Sequence, residues 1–161
     1  MEDLPMTTAV RELKAKGIAF VPHFYNYIDH GGTKVSAESL DVPEHSIIKT
    51  LVMETDEHEP LLVLMNGDWE VSTKQLARVI GAKRIELCSA DVALRHTGYQ
   101  FGGTSPFGTR KKLPVYAEKG IFDLPRVFIN GGKRGFLVEI EPREMKKVFE
   151  VREIEAGIAA P

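Results

Sequence analysis

The sequence predicts an α+β fold in which a mixed, curved, barrel-like β-sheet is flanked by helices. Predicted strands and helices are interleaved along the chain. Several strands are joined by turns too short for a crossover, such as the acidic turn at residues 54–59, so the sheet must contain antiparallel neighbours. No repeat or linker divides the 161 residues. We therefore expect a single domain over residues 1–161, with residues 150–161 as a C-terminal tail.

Capping residues mark the predicted helices. Thr8 begins the first helix and Gly17 ends it. Ser72 and Gln75 form a capping box for a helix that Gly81 ends. The predicted helices cover residues 8–16, 36–40, 73–80, 90–97 and 142–149. Runs of apolar, β-branched and aromatic residues predict strands at 18–27, 47–53, 61–65, 84–87, 115–116, 126–129 and 135–140.

Composition limits the class of protein. The chain is 43% hydrophobic and 27% charged, with a formal net charge of −2, which is typical of a globular domain. The single cysteine, Cys88, cannot form an internal disulfide, so a secreted disulfide scaffold is excluded. The apolar runs are too short to span a membrane, and the N-terminus has no signal-peptide pattern. We expect a cytoplasmic protein with no membrane attachment.

Basic residues are concentrated in one part of the chain. Residues 98–134 contain seven Lys or Arg and two Asp or Glu, a local net charge of +5. A basic surface on an otherwise acidic protein suits contact with a few phosphate groups. Ordinary solvated loop charges would give the same count.

A glycine-rich segment is the sharpest local feature. Residues 98–108 read Gly-Tyr-Gln-Phe-Gly-Gly-Thr-Ser-Pro-Phe-Gly. Such a loop can approach a ligand closely, and its consecutive amides can bind an anion or a developing oxyanion. A plain glycine-rich connection is the alternative. The spacing matches neither a dinucleotide fingerprint nor a P-loop, so we expect no nucleotide cofactor.

Lys49 is unusual because it interrupts an apolar strand. Alternation puts Lys49 on one face with Ile47 and Leu51, and the intervening residues on the other. A lysine there costs desolvation unless its ammonium group reaches water or an anion. The two interpretations are an edge lysine that extends to solvent and an anion-binding lysine.

A second small-residue turn follows the strand at 126–129. Its residues, 130–135, read Asn-Gly-Gly-Lys-Arg-Gly. Asn-Gly alone favours a hairpin turn, but the same segment could place Asn130 at the rim of a pocket. Other combinations are weaker. Ser105, His96 and Asp91 could be drawn as a catalytic triad, but the segment lacks a nucleophile elbow. The histidines show no metal-ligand spacing, so we expect no metal.

Taken in order, these segments resemble the YbaK/EbsC family of aminoacyl-tRNA deacylases, which includes the editing domain of bacterial prolyl-tRNA synthetases. The matching segments are Lys49-Thr-Leu-Val, the glycine loop followed by Lys111-Lys112, and Gly131-Gly-Lys-Arg-Gly before Val138-Glu-Ile. The freestanding Cys-tRNA(Pro) deacylases are the most similar branch. The resemblance extends from the first predicted helix to about residue 149.

The resemblance implies hydrolysis of the ester between a wrong amino acid and the 3′-terminal adenosine of tRNA, with cysteine on tRNA(Pro) or a related small amino acid as substrate. It implies catalytic roles for Lys49, Gly102 and Gly103. The implied substrate-binding residues are Tyr25, Thr50, Thr104, Ser105, Pro106, Gly108, Asn130 and Gly131. In Cys-selective members the substrate's own thiol attacks the ester, without a cofactor. The implied partners are a tRNA acceptor end and a prolyl-tRNA synthetase.

Two positions depart from the family pattern. Asn130 stands where similar members carry serine, and Leu137 occupies a position that is polar in some of them. A more apolar wall at Leu137 would alter which amino acid is accepted. The alternative function is a non-catalytic module that binds tRNA 3′ ends or a synthetase, and measurement of turnover separates the two.

Overall fold

The computed structural model describes residues 3–160, which form a mixed sheet with helices around it. The helices are α1 (Thr8–Ala15), α2 (Gly32–Leu40), α3 (Thr73–Ile80) and α4 (Ala90–Thr97). The strands are β1 (Val21–Phe24), β2 (Ile47–Thr55), β3 (Pro60–Asn66), β4 (Trp69–Val71), β5 (Ile85–Leu87), β6 (Val115–Glu118), β7 (Val127–Lys133), β8 (Phe136–Ile140), β9 (Val151–Ile154) and β10 (Gly157–Ala159). Short 3₁₀ helices occupy Glu44–Ser46, Lys119–Asp123 and Pro142–Lys147.

The main sheet confirms the predicted α+β class. Its strand order is β1-β8-β7-β2-β3-β6-β9, and β5 adds a further pairing to β2. β2 pairs antiparallel with β3 and β5 but parallel with β7, so the sheet is mixed. β10 and β4 form a separate two-stranded sheet. In the described part of the chain, no helix has the length and apolar character needed to cross a membrane.

The two faces of β2 contribute to different hydrophobic clusters, as the alternation predicts. Ile48 and Val52 belong to the largest cluster. Ile47 packs instead with Phe128 and Leu137. This central strand therefore lies in the middle of the buried core and carries Lys49 and Thr50 with it.

The predicted helix caps are confirmed in part. The Ser72 hydroxyl accepts a hydrogen bond from the Gln75 amide, which is one half of the predicted capping box. The Ser72 amide donates to the Ala156 carbonyl rather than to the Gln75 side chain, so the other half is not formed. Thr8 was expected to cap α1, but Thr7 does so, and the Thr8 hydroxyl is bonded to the Tyr99 hydroxyl instead. The strand expected at 18–27 is limited to β1 because only those residues pair with β8. The expected helix over 142–149 is a shorter 3₁₀ helix.

The expectation of a C-terminal tail over residues 150–161 is wrong for the part that the structure describes. β9 pairs with β6, and β10 pairs with β4, so both are held by strands remote in sequence. The buried Glu118 carboxylate accepts hydrogen bonds from the amides of Ala156 and Gly157, at 2.8 and 3.0 Å. Pro161 lies outside the described residues.

Glu118→Ala tests this attachment. Removing the carboxylate leaves two amides without their acceptor, so we expect a loss of about 2 kcal/mol or more in the free energy of unfolding. The control is Glu153→Ala on β9, whose ion pair with Lys146 is exposed and should contribute less than about 1 kcal/mol. Urea denaturation measures both. Similar losses for the two variants would contradict the assigned role of Glu118.

Candidate active site

A cleft of about 780 Å³ lies beside the middle of β2. Its walls come from β2, the start of α2, α4, the glycine loop and the β7–β8 hairpin. Six residues predicted for the site line it: Tyr25, Lys49, Thr50, Gly102, Thr104 and Asn130. Leu137, one of the two departures from the family pattern, lines it as well. Segments distant in sequence thus meet at one cavity.

Lys49 is half-buried on this wall and donates a hydrogen bond to the Trp69 carbonyl. Burial lowers the pKa of Lys49, and the carboxylates of Glu70, Glu44 and Asp68 oppose that shift. An ammonium group has three donors, so two remain for a ligand when one is used by Trp69. The three carboxylates supply part of the opposite charge that a half-buried ammonium needs, and its free donors can bind an acceptor on a ligand.

A tight turn presents Gly102 to the cleft. The Gly103 amide donates to the Gln100 carbonyl at 2.9 Å, and Gly102 has φ 84°, a value that the third position of a type II turn requires. The Gly103 amide is therefore already used within the loop. Within residues 3–160, no acceptor is bonded to the Gly102 amide.

Asn130 connects the hairpin to this turn. Its Nδ2 donates to the Gly102 carbonyl at 3.0 Å, and its Oδ1 accepts from the amides of Gly132 and Lys133. Both ends of the side chain are satisfied, so the amide group has one orientation. Asn130 consequently fixes the direction of the peptide group between Gly102 and Gly103.

Tyr27 and Arg134 extend the same wall and were not among the predicted site residues. The Arg134 guanidinium lies 4.9 Å from the centre of the Tyr27 ring and donates to the Phe101 carbonyl at 2.7 Å. A Cβ atom at Gly102 would lie 2.7 Å from the Tyr27 hydroxyl, so a glycine there lets the ring approach. The sequence marked Arg134 only as part of the basic stretch and of the Gly131-Gly-Lys-Arg-Gly segment that matches the family, and it gave no signal for Tyr27.

Five predicted residues do not line the cleft: Gly103, Ser105, Pro106, Gly108 and Gly131. Ser105 is fully buried, and its hydroxyl accepts from the Phe107 amide. Gly108 packs against the backbone of α1 and donates to Glu12, while Gly131 packs against the Phe136 ring. These residues shape the loop and the hairpin from behind the cleft wall.

The structure does not assemble a protein nucleophile from the residues considered. His96 contacts Glu54 and Lys111, at 3.1 and 3.0 Å, rather than Ser105 or Asp91. Burial and the nearby Glu54 raise the pKa of Cys88 to about 11, so its thiol is protonated at neutral pH. Tyr25 is also neutral there, because burial raises the pKa of its phenol.

Comparison with known protein families identifies the family of this chain. The family model of the aminoacyl-tRNA editing domain matches residues 32–148, which include β2, the glycine loop and the β7–β8 hairpin. The chain belongs to this family. The matched segment contains the cleft residues from Gly32 onward, while Tyr25, Tyr27, Ile28, Asp29 and His30 precede it.

Individual relatives agree with that assignment. The editing domain is 29% identical to EbsC of Enterococcus faecalis, a candidate Cys-tRNA(Pro)/Cys-tRNA(Cys) deacylase, over 84% of each chain. It is also 29% identical to a proline–tRNA ligase of Listeria welshimeri, over 77% of this chain but 22% of the ligase. A crystal structure of a candidate trans-editing enzyme for prolyl-tRNA synthetase superposes with a TM-score of 0.82, covering 98% of this chain and 100% of that one at 20% identity. This last similarity shows the fold.

Gly108→Ala tests how the glycine loop is attached to α1. Gly108 and Gly17 both have positive φ values, 62° and 69°. A Cβ atom would lie 2.3 Å from the Thr8 carbonyl oxygen at Gly108 but would meet nothing within 4 Å at Gly17. We expect Gly17→Ala to cost about 1 kcal/mol through backbone strain. Gly108→Ala should cost about 1–3 kcal/mol more because backbone atoms must move. Equal midpoints in urea denaturation would contradict this packing.

Proposed function

We propose that this protein is a trans-editing deacylase that hydrolyses the ester of a mischarged aminoacyl-tRNA, with cysteine on tRNA(Pro) or a related small amino acid as substrate. One observation carries the proposal: the half-buried Lys49 and the Gly102 turn line the same cleft. The names of EbsC and of the proline–tRNA ligases support the substrate class.

Lys49 binds a phosphate of the tRNA 3′ end or orients the ester. Its desolvated ammonium gains most from a ligand that brings negative charge into the cleft. Arg134 lines the same cleft from the β7–β8 hairpin and adds a second cation, held in place by Tyr27 and the Phe101 carbonyl. The two cations together favour a nucleotide over a free amino acid as ligand.

The Gly102 amide is the loop donor for negative charge that develops on the ester carbonyl oxygen. Arg134 donates to the Phe101 carbonyl, which shares its planar peptide group with the Gly102 amide, and so keeps that amide in one direction. Gly103 contributes through the turn rather than through its own amide, which is bonded to Gln100.

Substrate-assisted hydrolysis suits a cleft without an activated protein nucleophile. The cysteine thiol of the substrate loses its proton and attacks its own carbonyl carbon, so a carbon–sulfur bond forms and the carbon–oxygen bond to ribose breaks. The 3′ oxygen takes up a proton, and water then opens the thiolactone. Aminoacyl esters are activated, so the barrier left for the protein to lower is modest. A prolyl-tRNA synthetase is the partner we propose for delivery of the charged tRNA.

Lys49→Ala should lower the rate of hydrolysis at least about 100-fold, the range expected when one electrostatic group is removed from an active site. The assay is loss of the ester from Cys-tRNA(Pro), Ala-tRNA(Pro), Ser-tRNA(Pro) and Cys-tRNA(Cys) under limiting protein. The control is Lys74→Ala on α3, an exposed lysine outside the cleft. Protection of every ester by the wild-type protein would favour the non-catalytic binding module, and full activity of Lys49→Ala would remove the role of Lys49.

The binding of a tRNA 3′-end trinucleotide should weaken as the pH rises. This loss should begin at a lower pH than it would for a lysine with an ordinary pKa. The pKa of Lys49 is lowered, so its positive charge is present at low pH and is lost as the pH rises through that lowered value. In Lys49→Arg the guanidinium stays charged, so this alkaline loss should disappear. Fluorescence titration between pH 7 and 10.5 compares the two proteins, and identical pH profiles would contradict the assignment.

A further inference from the structure

Within residues 3–160, the edge of β2 that faces the cleft has no paired strand along its middle; we call it the cleft edge. On this edge β7 pairs with Ile47 and Ile48, and β5 pairs with residues 53–55. β3 pairs with the opposite edge along residues 48–54. Thr50 therefore lies in a gap between two partner strands, and it lines the cleft.

The hydrogen bonds at both ends of the gap fix the direction of the Thr50 backbone. The Val52 carbonyl accepts from the Cys88 amide, on the cleft edge. The Ile47 carbonyl accepts from the Gly67 amide, on the β3 edge. Because directions alternate along a strand, the N–H and C=O of Thr50 point the same way as those of Val52, into the gap.

Thr50 also carries an unsatisfied side chain. Its Oγ1 atom is buried and has no hydrogen-bond partner within the part of the chain that the structure describes. Buried polar groups are nearly always paired, so a hydroxyl, an amide and a carbonyl without protein partners at one residue indicate a place for a ligand.

An aminoacyl group carries a hydrogen-bond donor and an acceptor at the spacing that the C=O and N–H of Thr50 require. In an antiparallel pair, two opposite residues exchange an N–H···O bond in each direction. The α-ammonium and the carbonyl oxygen of an esterified amino acid present the same donor and acceptor as one residue of a strand. A phosphate offers acceptors but no donor. The adenine edge also carries a donor beside an acceptor, but it is the same in every charged tRNA and so cannot distinguish one amino acid from another.

We propose that the aminoacyl group binds as a one-residue antiparallel bridge to Thr50. The α-ammonium donates to the Thr50 carbonyl, and the ester carbonyl oxygen accepts from the Thr50 amide. Opposite residues project their side chains on the same face, so the amino-acid side chain lies beside Thr50 Oγ1, which selects a thiol or hydroxyl donor. This inference rests on the proposed function and names the part of the substrate that each group recognises.

The direct test uses a stable ligand, 3′-amino-3′-deoxyadenosine bearing alanine through an amide bond, and its analogue bearing propionate. We expect the ¹⁵N–¹H signal of Thr50 to move downfield on binding of the alanyl compound. The propionyl compound should bind about tenfold more weakly, the factor that one hydrogen bond to a charged group supplies. An unmoved Thr50 signal while Gly102 responds, or equal affinities, would overturn the bridge.

Side-chain selection has its own test. Thr50→Val keeps the shape of the residue and removes an unsatisfied hydroxyl, so we expect it to fold. The ratio of the dissociation constants of the alanyl and cysteinyl forms of the amide-linked analogue should fall about tenfold, and Thr50→Ser should restore it. An unchanged ratio in Thr50→Val would overturn the role of the hydroxyl.

The two proposals fail in different ways. Turnover by the wild-type protein with an unmoved Thr50 signal would remove the bridge and leave the deacylase. A shifted Thr50 signal without turnover would leave the bridge as the binding mode of a non-catalytic module.

Discussion

The change of partners along one edge of β2 is the constraint on which the cleft depends. β3 covers the other edge of this strand along residues 48–54, but β7 and β5 cover the cleft edge only at its ends. A strand in the middle of a sheet is ordinarily paired on both edges, and an unpaired segment costs hydrogen bonds. The gap leaves the backbone groups of Thr50 facing the cleft, between neighbouring residues of β2 that are held by paired strands.

The glycine-rich loop and the β7–β8 hairpin, which lie beside this gap, are held by specific contacts. Asn130 joins the hairpin to the Gly102 turn, and Tyr99 ties the glycine loop to α1 through the Thr8 hydroxyl and the Phe107 carbonyl. Each of these side chains is hydrogen-bonded at more than one point. The glycines thus provide close approach, while the polar side chains provide the fixed geometry that electrostatic stabilisation requires.

Sequence reasoning succeeded where the cause is local. The Ser72 hydroxyl cap and the alternation around Lys49 depend on residues a few positions apart, and both are confirmed. The other half of the capping box is not formed, because the Ser72 amide donates to Ala156 in a remote segment. β9 and β10 were missed because short strands are stabilised by partners remote in sequence. The same limit applies to the site. Lys49 was found from its own desolvation cost, but the contact of Tyr27 with Arg134 exists only in the folded protein.

The surroundings of Thr50 bear on the choice between cysteine and serine. Ile48 and Val52 flank Thr50 on its face of β2, and both are almost fully buried. An apolar wall alone discriminates between side chains that differ by one small group by only about 1–3 kcal/mol of binding free energy. An unpaired buried hydroxyl adds a larger penalty against a side chain that cannot donate a hydrogen bond to it. A thiol donates weakly and is cheap to desolvate, whereas a serine hydroxyl loses stronger bonds to water on entering the same wall. In the bridge that we propose, the combination of one hydroxyl with two aliphatic neighbours therefore favours cysteine over serine and alanine.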